Sequence, residues 1–171
     1  MPPPQPNPFT EHPLTAPLLA DKTYTTDETL SQDPFFRLTL HSNSTVHTTA
    51  FFYRKTPFPI GHLLLHIGPG TCGQADIAHG GFLAAILDEV CGTTIARTGL
   101  DGGGGMFTVQ LGVGYKKPLR VSGGAEGTVI VATARLKRVE GRKIFVEGVV
   151  RDEGGVCTTA EAVFVKRMAE L

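Results

Sequence analysis

Between Phe107 and Tyr115 the chain alternates strictly. Phe107, Val109, Leu111, Val113 and Tyr115 are separated by Thr108, Gln110, Gly112 and Gly114. A period of two predicts a strand, and Pro118 ends it. Thr45 to Arg54, rich in threonine, valine and aromatics, predicts another, closed by Pro57 and Pro59. His62 to Ile67 is a second short apolar run, and Ala125 to Arg138, Lys143 to Arg151 and Cys157 to Lys166 are three more strands. The pattern is different from Gly80 to Thr98, where Ala, Leu and Ile are interspersed with Gly and Thr and few charges mark a solvent face. This predicts a long buried helix, ended by Gly99, that packs against a sheet. The segment Gly68 to Ala78 reads as a loop leading into it, and Leu100 to Gly105 as the loop leaving it.

The order is therefore two strands, one helix and four strands. The connectors Glu140-Gly141-Arg142 and Asp152-Glu153-Gly154-Gly155 carry hairpin-turn chemistry. Short turns demand antiparallel pairing, and parallel βαβ units would need more helices. An α+β fold with one antiparallel sheet wrapped around one central helix follows.

Seven prolines fall within the first 17 residues, which predicts an extended arm without an early regular helix. Leu14, Leu18, Leu19, Phe35, Phe36 and Leu38 are its candidate anchors. Residues 1–32 are read as this arm and 33–171 as a single domain, a division that suits a chain of 171 residues. Sixteen basic and sixteen acidic residues cancel, which argues against a broad nucleic-acid footprint. No apolar run approaches the length of a membrane span. Cysteines 72, 91 and 157 have neither disulfide nor zinc spacing. The expectation is an intracellular protein, cytoplasmic with mitochondria as the alternative compartment.

The candidate chemistry lies on the helix. In His79-Gly80-Gly81-Phe82-Leu83-Ala84-Ala85-Ile86-Leu87-Asp88-Glu89, two glycines open the helix and an acid sits in an apolar stretch. A helix N-terminus offers unpaired amides to a negatively charged oxygen. An acid on an apolar helix is paired, solvated in a pocket or employed in chemistry. Eight residues at about 1.5 Å rise separate Gly80 from Asp88 by roughly 12 Å. One carbonyl cannot meet both from the same chain, whereas two antiparallel helices in a C2 dimer would place Gly80 of one beside Asp88 of the other. Thr108 is a candidate partner for Asp88 or for a water held by it. The alternatives are an acid at a dimer seam, a histidine packed beside a cap and a solvent-facing hydroxyl.

His79-Gly80-Gly81, the acid nine residues after the histidine, the strand Thr108 to Pro118 and the Val139-Glu140-Gly141-Arg142-Lys143 hairpin resemble the hotdog-fold thioesterases of the phenylacetate-pathway and THEM group. The likeness covers about residues 45 to 167. It implies the hotdog fold, a homodimer or dimer of dimers, and hydrolysis of medium- or long-chain acyl-CoA to fatty acid and CoA. By motif, Asp88 becomes general base or nucleophile, the Gly80 amide the oxyanion donor, and Thr108 the hydroxyl near the acid. His79 stands beside them. The resemblance also implies an asparagine or glutamine, which many relatives carry in the loop before the helix; here Gly73 holds that position and Gln74 is its neighbour. Gly81 and Phe82 are expected to contact substrate. Lys116, Lys117, Arg138, Arg142 and Lys143 are candidates for the coenzyme phosphates, or ordinary solvated surface. Phe82, Ile86, Val90, Phe107 and Val109 would line an acyl tunnel or fill the core. No metal or separate cofactor is expected, coenzyme A being part of the substrate. The alternative readings are a non-catalytic acyl-CoA-binding or regulatory protein of the same fold and an enoyl-CoA hydratase or dehydratase.

Overall fold

Helix α2 (Gly80–Thr98) is the axis of the structure, a computed structural model that describes residues 7–27, 34–123 and 127–167. Leu83, Ile86, Leu87, Val90, Cys91, Thr94 and Ile95 are buried, a stripe recurring at helical spacing. Gly99 closes the helix at φ 77°, its N–H reaching the carbonyls of Ala96 and Ile95. That left-handed cap favours a residue without a Cβ. Ala84, Ala85, Asp88 and Gly92, off this stripe, are only half-buried.

A seven-stranded antiparallel sheet wraps α2 in the order β1-β2-β3-β7-β8-β9-β6. The strands are β1 (Thr25–Asp27), β2 (Val46–Arg54), β3 (Ile60–Ile67), β6 (Met106–Tyr115), β7 (Thr128–Glu140), β8 (Lys143–Asp152) and β9 (Gly155–Lys166). Two glycines let the helix lie close on the sheet. A Cβ at Gly61 would stand 2.1 Å from Thr94 Oγ1, and one at Gly148 2.8 Å from Leu87 Cδ2. Leu63, Leu65, Ile67, Ile130, Ala132, Ile144, Val146 and Phe164 complete this inner core with the helix. This is the hotdog arrangement.

The structure corrects several expectations. A one-turn helix, α1 (Ala16–Ala20), follows the prolines, with Pro17 in its first turn, where a missing N–H costs nothing. The segment before the long helix is not only loop: β4 (Cys72–Gln74) and β5 (Ile77–Ala78) form a small hairpin. Strand β1 pairs Thr25, Thr26 and Asp27 with Tyr53, Phe52 and Phe51, too short a run to show a period. The expected division at residues 32 and 33 and the expected strand start at Ala125 lie outside the described residues.

Phe9, 2% exposed, packs with Phe52, Leu64, Val129 and Val131 on the outer face of the sheet, joined by Leu14, Leu18, Leu19 and Tyr24. Phe36 packs on the inner core. Phe35 and Leu38, also expected as anchors, remain largely exposed, because their short wide helical turn (Phe35–Leu40) turns only part of its surface inward. Among the described residues no helix is long and apolar enough to cross a membrane.

The largest correction concerns β6. Its register against β9 shifts between Thr108 and Gln110, so Val109 is an extra residue. One inserted residue reverses which face each side chain takes. Thr108, Leu111, Val113 and Tyr115 oppose Phe164, Ala162, Ala160 and Thr158, and so share the inner face. Phe107 and Val109 are more than half exposed instead.

Candidate active site

His79 stands immediately before α2 in extended backbone and caps it. Its Nδ1 accepts the Gly81 N–H at 2.9 Å, so in this arrangement the ring proton sits on Nε2. Its backbone N–H donates to the Thr71 carbonyl at 2.8 Å, and its carbonyl accepts from Leu83 N–H at 3.1 Å. Thr71 is itself buried, with its hydroxyl on the Gly68 carbonyl. The cap is thereby tied to the segment before it. These ties leave the Gly80 N–H as a first-turn donor with no acceptor within the helix.

Asp88 lies eight residues further on, half-buried. Its Oδ1 accepts a hydrogen bond of 2.8 Å from Thr108 Oγ1 on β6. The Val109 bulge is what turns Thr108 inward to make it. The alternation read from the sequence put Thr108 on the face opposite Tyr115, and the structure puts both beside the helix. Cys91, on the next turn, is fully buried; burial first, then the neighbouring Asp88 charge, pushes its thiol up to about 12. It is a packed neutral thiol.

Tyr115 is the residue that sequence reading missed as a site component. Its hydroxyl donates to the Gly80 carbonyl at 2.8 Å. An aromatic at a strand end, three residues before Pro118, was the available signal.

The remaining predicted residues divide. Gly73 lies against the His79 ring, where a Cβ would stand 2.6 Å from Cδ2. Gln74 is exposed in the same hairpin strand and bonds to none of the other described site side chains. Gly81 has its N–H engaged by His79, and Phe82 is half-buried against the core. Ile86 and Val90 are fully buried.

The five basic residues do not converge within one chain. Lys116 and Lys117 follow Tyr115 at the end of β6, their amides on the Cys157 carbonyl. Lys117 pairs with Asp152 at 2.6 Å. Burial alone would raise the Asp152 carboxyl, but hydrogen bonds from Lys117 and the Cys157 thiol bring it below the usual range. Arg138 stacks over Phe145 at 3.6 Å and pairs with Glu140, while Arg142 donates through Nε and Nη2 to the Lys166 carbonyl. Lys143 pairs with Val165 in the sheet, whereas Tyr115 pairs with Thr158. The two groups are thus about seven residues apart along β9, roughly 23 Å.

Residues 75–159 match the thioesterase superfamily. Acyl-coenzyme A thioesterase THEM4 of Mus musculus is 33% identical over 96 residues, 55% of this chain and 37% of that protein. THEM4 of Rattus norvegicus is 32% identical over 122 residues, 68% of this chain and 47% of that protein. The chain therefore spans less than half the length of these two curated relatives. Among solved structures, a Bacillus halodurans protein crystallised with CoA superposes with a TM-score of 0.54 at 28% identity, covering 64% of this chain and 69% of that one.

Proposed function

Because the chain belongs to the thioesterase superfamily, we propose that it hydrolyses medium- and long-chain acyl-CoA to free fatty acid and CoA. The observation that carries this reading is the Thr108–Asp88 hydrogen bond on a helix whose first amide has no acceptor within the helix. The thioester carbonyl lies against the Gly80 N–H, at the positive end of α2. Asp88 takes a proton from water as the water oxygen bonds to the carbonyl carbon, and the carbonyl π pair moves onto the oxygen held by Gly80. Collapse breaks the C–S bond, and the departing thiolate recovers a proton from Asp88. Thr108 keeps the carboxylate aimed. Direct attack by the carboxylate, giving an anhydride, is the rival route.

Gly80 and Asp88 of one chain stand too far apart for this step, so the reading needs two protomers. Strand β6 is an edge strand of ten residues with Phe107 62%, Val109 57% and Tyr115 56% exposed. Such an edge is a template for pairing with a second copy. In a dimer, Lys116 and Lys117 of one protomer and Arg138, Arg142 and Lys143 of the other are the candidate phosphate contacts. Gln74 supplies the loop amide of this reading. The small, half-buried residues Ala84 and Ala85 of α2 leave room for an acyl chain. Each buried methylene contributes about 0.8 kcal/mol, roughly a fourfold step in specificity.

A second reading, an acyl-CoA-binding protein without turnover, is favoured by Gln74, which is exposed and bonds to none of the other described site side chains. Thiol release across acyl-CoA substrates of two to eighteen carbons separates the two. Hydrolysis rising with chain length supports the enzyme, a flat profile removes the fatty-acyl assignment, and binding without thiol release replaces it with the second reading. A single-chain mass by sedimentation at micromolar concentration would sink the two-protomer site.

A further inference from the structure

The peptide unit joining Gly80 to Gly81 is gripped at both polar ends. Tyr115 donates its hydroxyl to the carbonyl at 2.8 Å, and His79 Nδ1 accepts the N–H at 2.9 Å. The fit to Tyr115 is close: a Cβ on residue 80 would stand 3.1 Å from the phenolic oxygen. These ties act where the helix is softest. Two consecutive glycines have the widest backbone freedom of any pair, and the Gly80 N–H, in the peptide plane whose His79 carbonyl accepts from Leu83 N–H at 3.1 Å, donates no helical hydrogen bond itself. Rotation about the Gly80 backbone would swing the neighbouring N–H away from its target, and a misplacement of 1 Å can cost about 100-fold in rate. The strand that carries Tyr115 also carries Thr108, which holds Asp88. Side chains of β6 therefore hold both the first peptide of α2 and its acid.

We propose that Tyr115 is a positioning residue, which holds the Gly80–Gly81 peptide so that the Gly80 amide points at the developing oxyanion. This rests on the thioesterase reading of Gly80 and Asp88. It deepens that reading by making β6 the common gauge for the acid and the amide. Pairing of β6 with a second copy would then stiffen both at once. The phenol exchanges no proton in the reaction; its hydrogen bond is the whole of its role.

Tyr115→Phe removes only the hydroxyl from a side chain that is more than half exposed, so the fold is retained. Loss of one neutral hydrogen bond that aims a donor predicts about a five- to tenfold fall in kcat. KM for acyl-CoA, the melting temperature and the oligomeric mass should stay at their wild-type values. Wild-type kcat in Tyr115→Phe would overturn the proposal. So would a fall in kcat accompanied by a lower melting temperature or a changed mass, since the hydroxyl would then be serving the fold. Asp88→Asn, assayed alongside, separates the two levels. If it is inactive while Tyr115→Phe is unimpaired, only the role of Tyr115 fails. If it turns over at the wild-type rate, the thioesterase site fails and this inference with it.

Discussion

Asp88 and His62 are both ionisable side chains joined to a threonine hydroxyl from another element, and they occupy opposite faces of the sheet. Asp88, on α2 inside the wrap, uses one oxygen for Thr108 and is only half-buried. His62, on β3, faces the arm and is 6% exposed. Both of its nitrogens are engaged, Nδ1 with Thr133 Oγ1 at 2.9 Å and Nε2 with Tyr24 Oη at 3.1 Å. The Tyr24 ring lies edge-on at 5.0 Å. Burial first, then the positive charges of Arg135 and Arg54, pushes His62 down to about 4, against a weaker pull from Asp21. The difference is one of unused valence. Among the described residues Asp88 retains an oxygen for a water or substrate, whereas both His62 nitrogens are engaged. The first arrangement suits chemistry and the second suits holding the arm to the sheet.

Exchanging the two substitutions tests this most sharply. Asp88→Asn should lower kcat by about 100- to 10,000-fold, the usual scale of general-base loss, and leave thermal unfolding nearly unchanged. His62→Ala should do the reverse. It strands the Thr133 and Tyr24 hydroxyls and opens a cavity, costing about 3 kcal/mol of stability with kcat intact. Urea unfolding and thiol release on both proteins give the four values, and a fall in kcat for His62→Ala would erase the distinction between the faces.

Acid should act on the outer face. His62 is held near 4 in the folded protein and returns to about 6.5 when unfolded. The unfolded chain binds the extra proton between these values, so stability falls as pH drops from about 6.5 to about 4 and levels off below. The contribution is on the order of 3 kcal/mol, part of it screened by the remaining exposure. Unfolding midpoints across this window should fall in the wild type and fall less steeply in His62→Gln. Equal slopes would mean other groups carry the titration.

Smaller effects are expected on the inner face. Thr108→Val removes the hydrogen bond to Asp88 and should cost roughly 10- to 150-fold in kcat, since hydrogen bonds to charged groups contribute about 1.5–3 kcal/mol. A wild-type kcat there would make the contact incidental. Lys116, which makes no ion pair with the described residues, should affect only ground-state binding. Lys116→Ala should raise KM for acyl-CoA roughly two- to threefold, as for a solvent-screened charge, with kcat unmoved.

The sequence by itself determined the features with local causes. Gly80 and Gly99 mark the ends of α2 because they change what the backbone can do at those points, and the buried stripe from Leu83 to Ile95 is written in its own spacing. The long strands declare themselves through composition and turns, so one helix wrapped by an antiparallel sheet was legible, as were the candidate pair Gly80 and Asp88. Tertiary structure decided what depends on register between distant segments. Val109 is an ordinary member of an alternating run until β9 makes it a bulge, and only then do Thr108 and Tyr115 turn together toward the helix. The three residues of β1 acquire meaning only beside β2, and the basic residues divide into two groups only when β8 and β9 set their distance. Periodicity records which face a residue takes within its own element, but the partner across a hydrogen-bonded ladder is chosen by packing of the whole sheet on the helix.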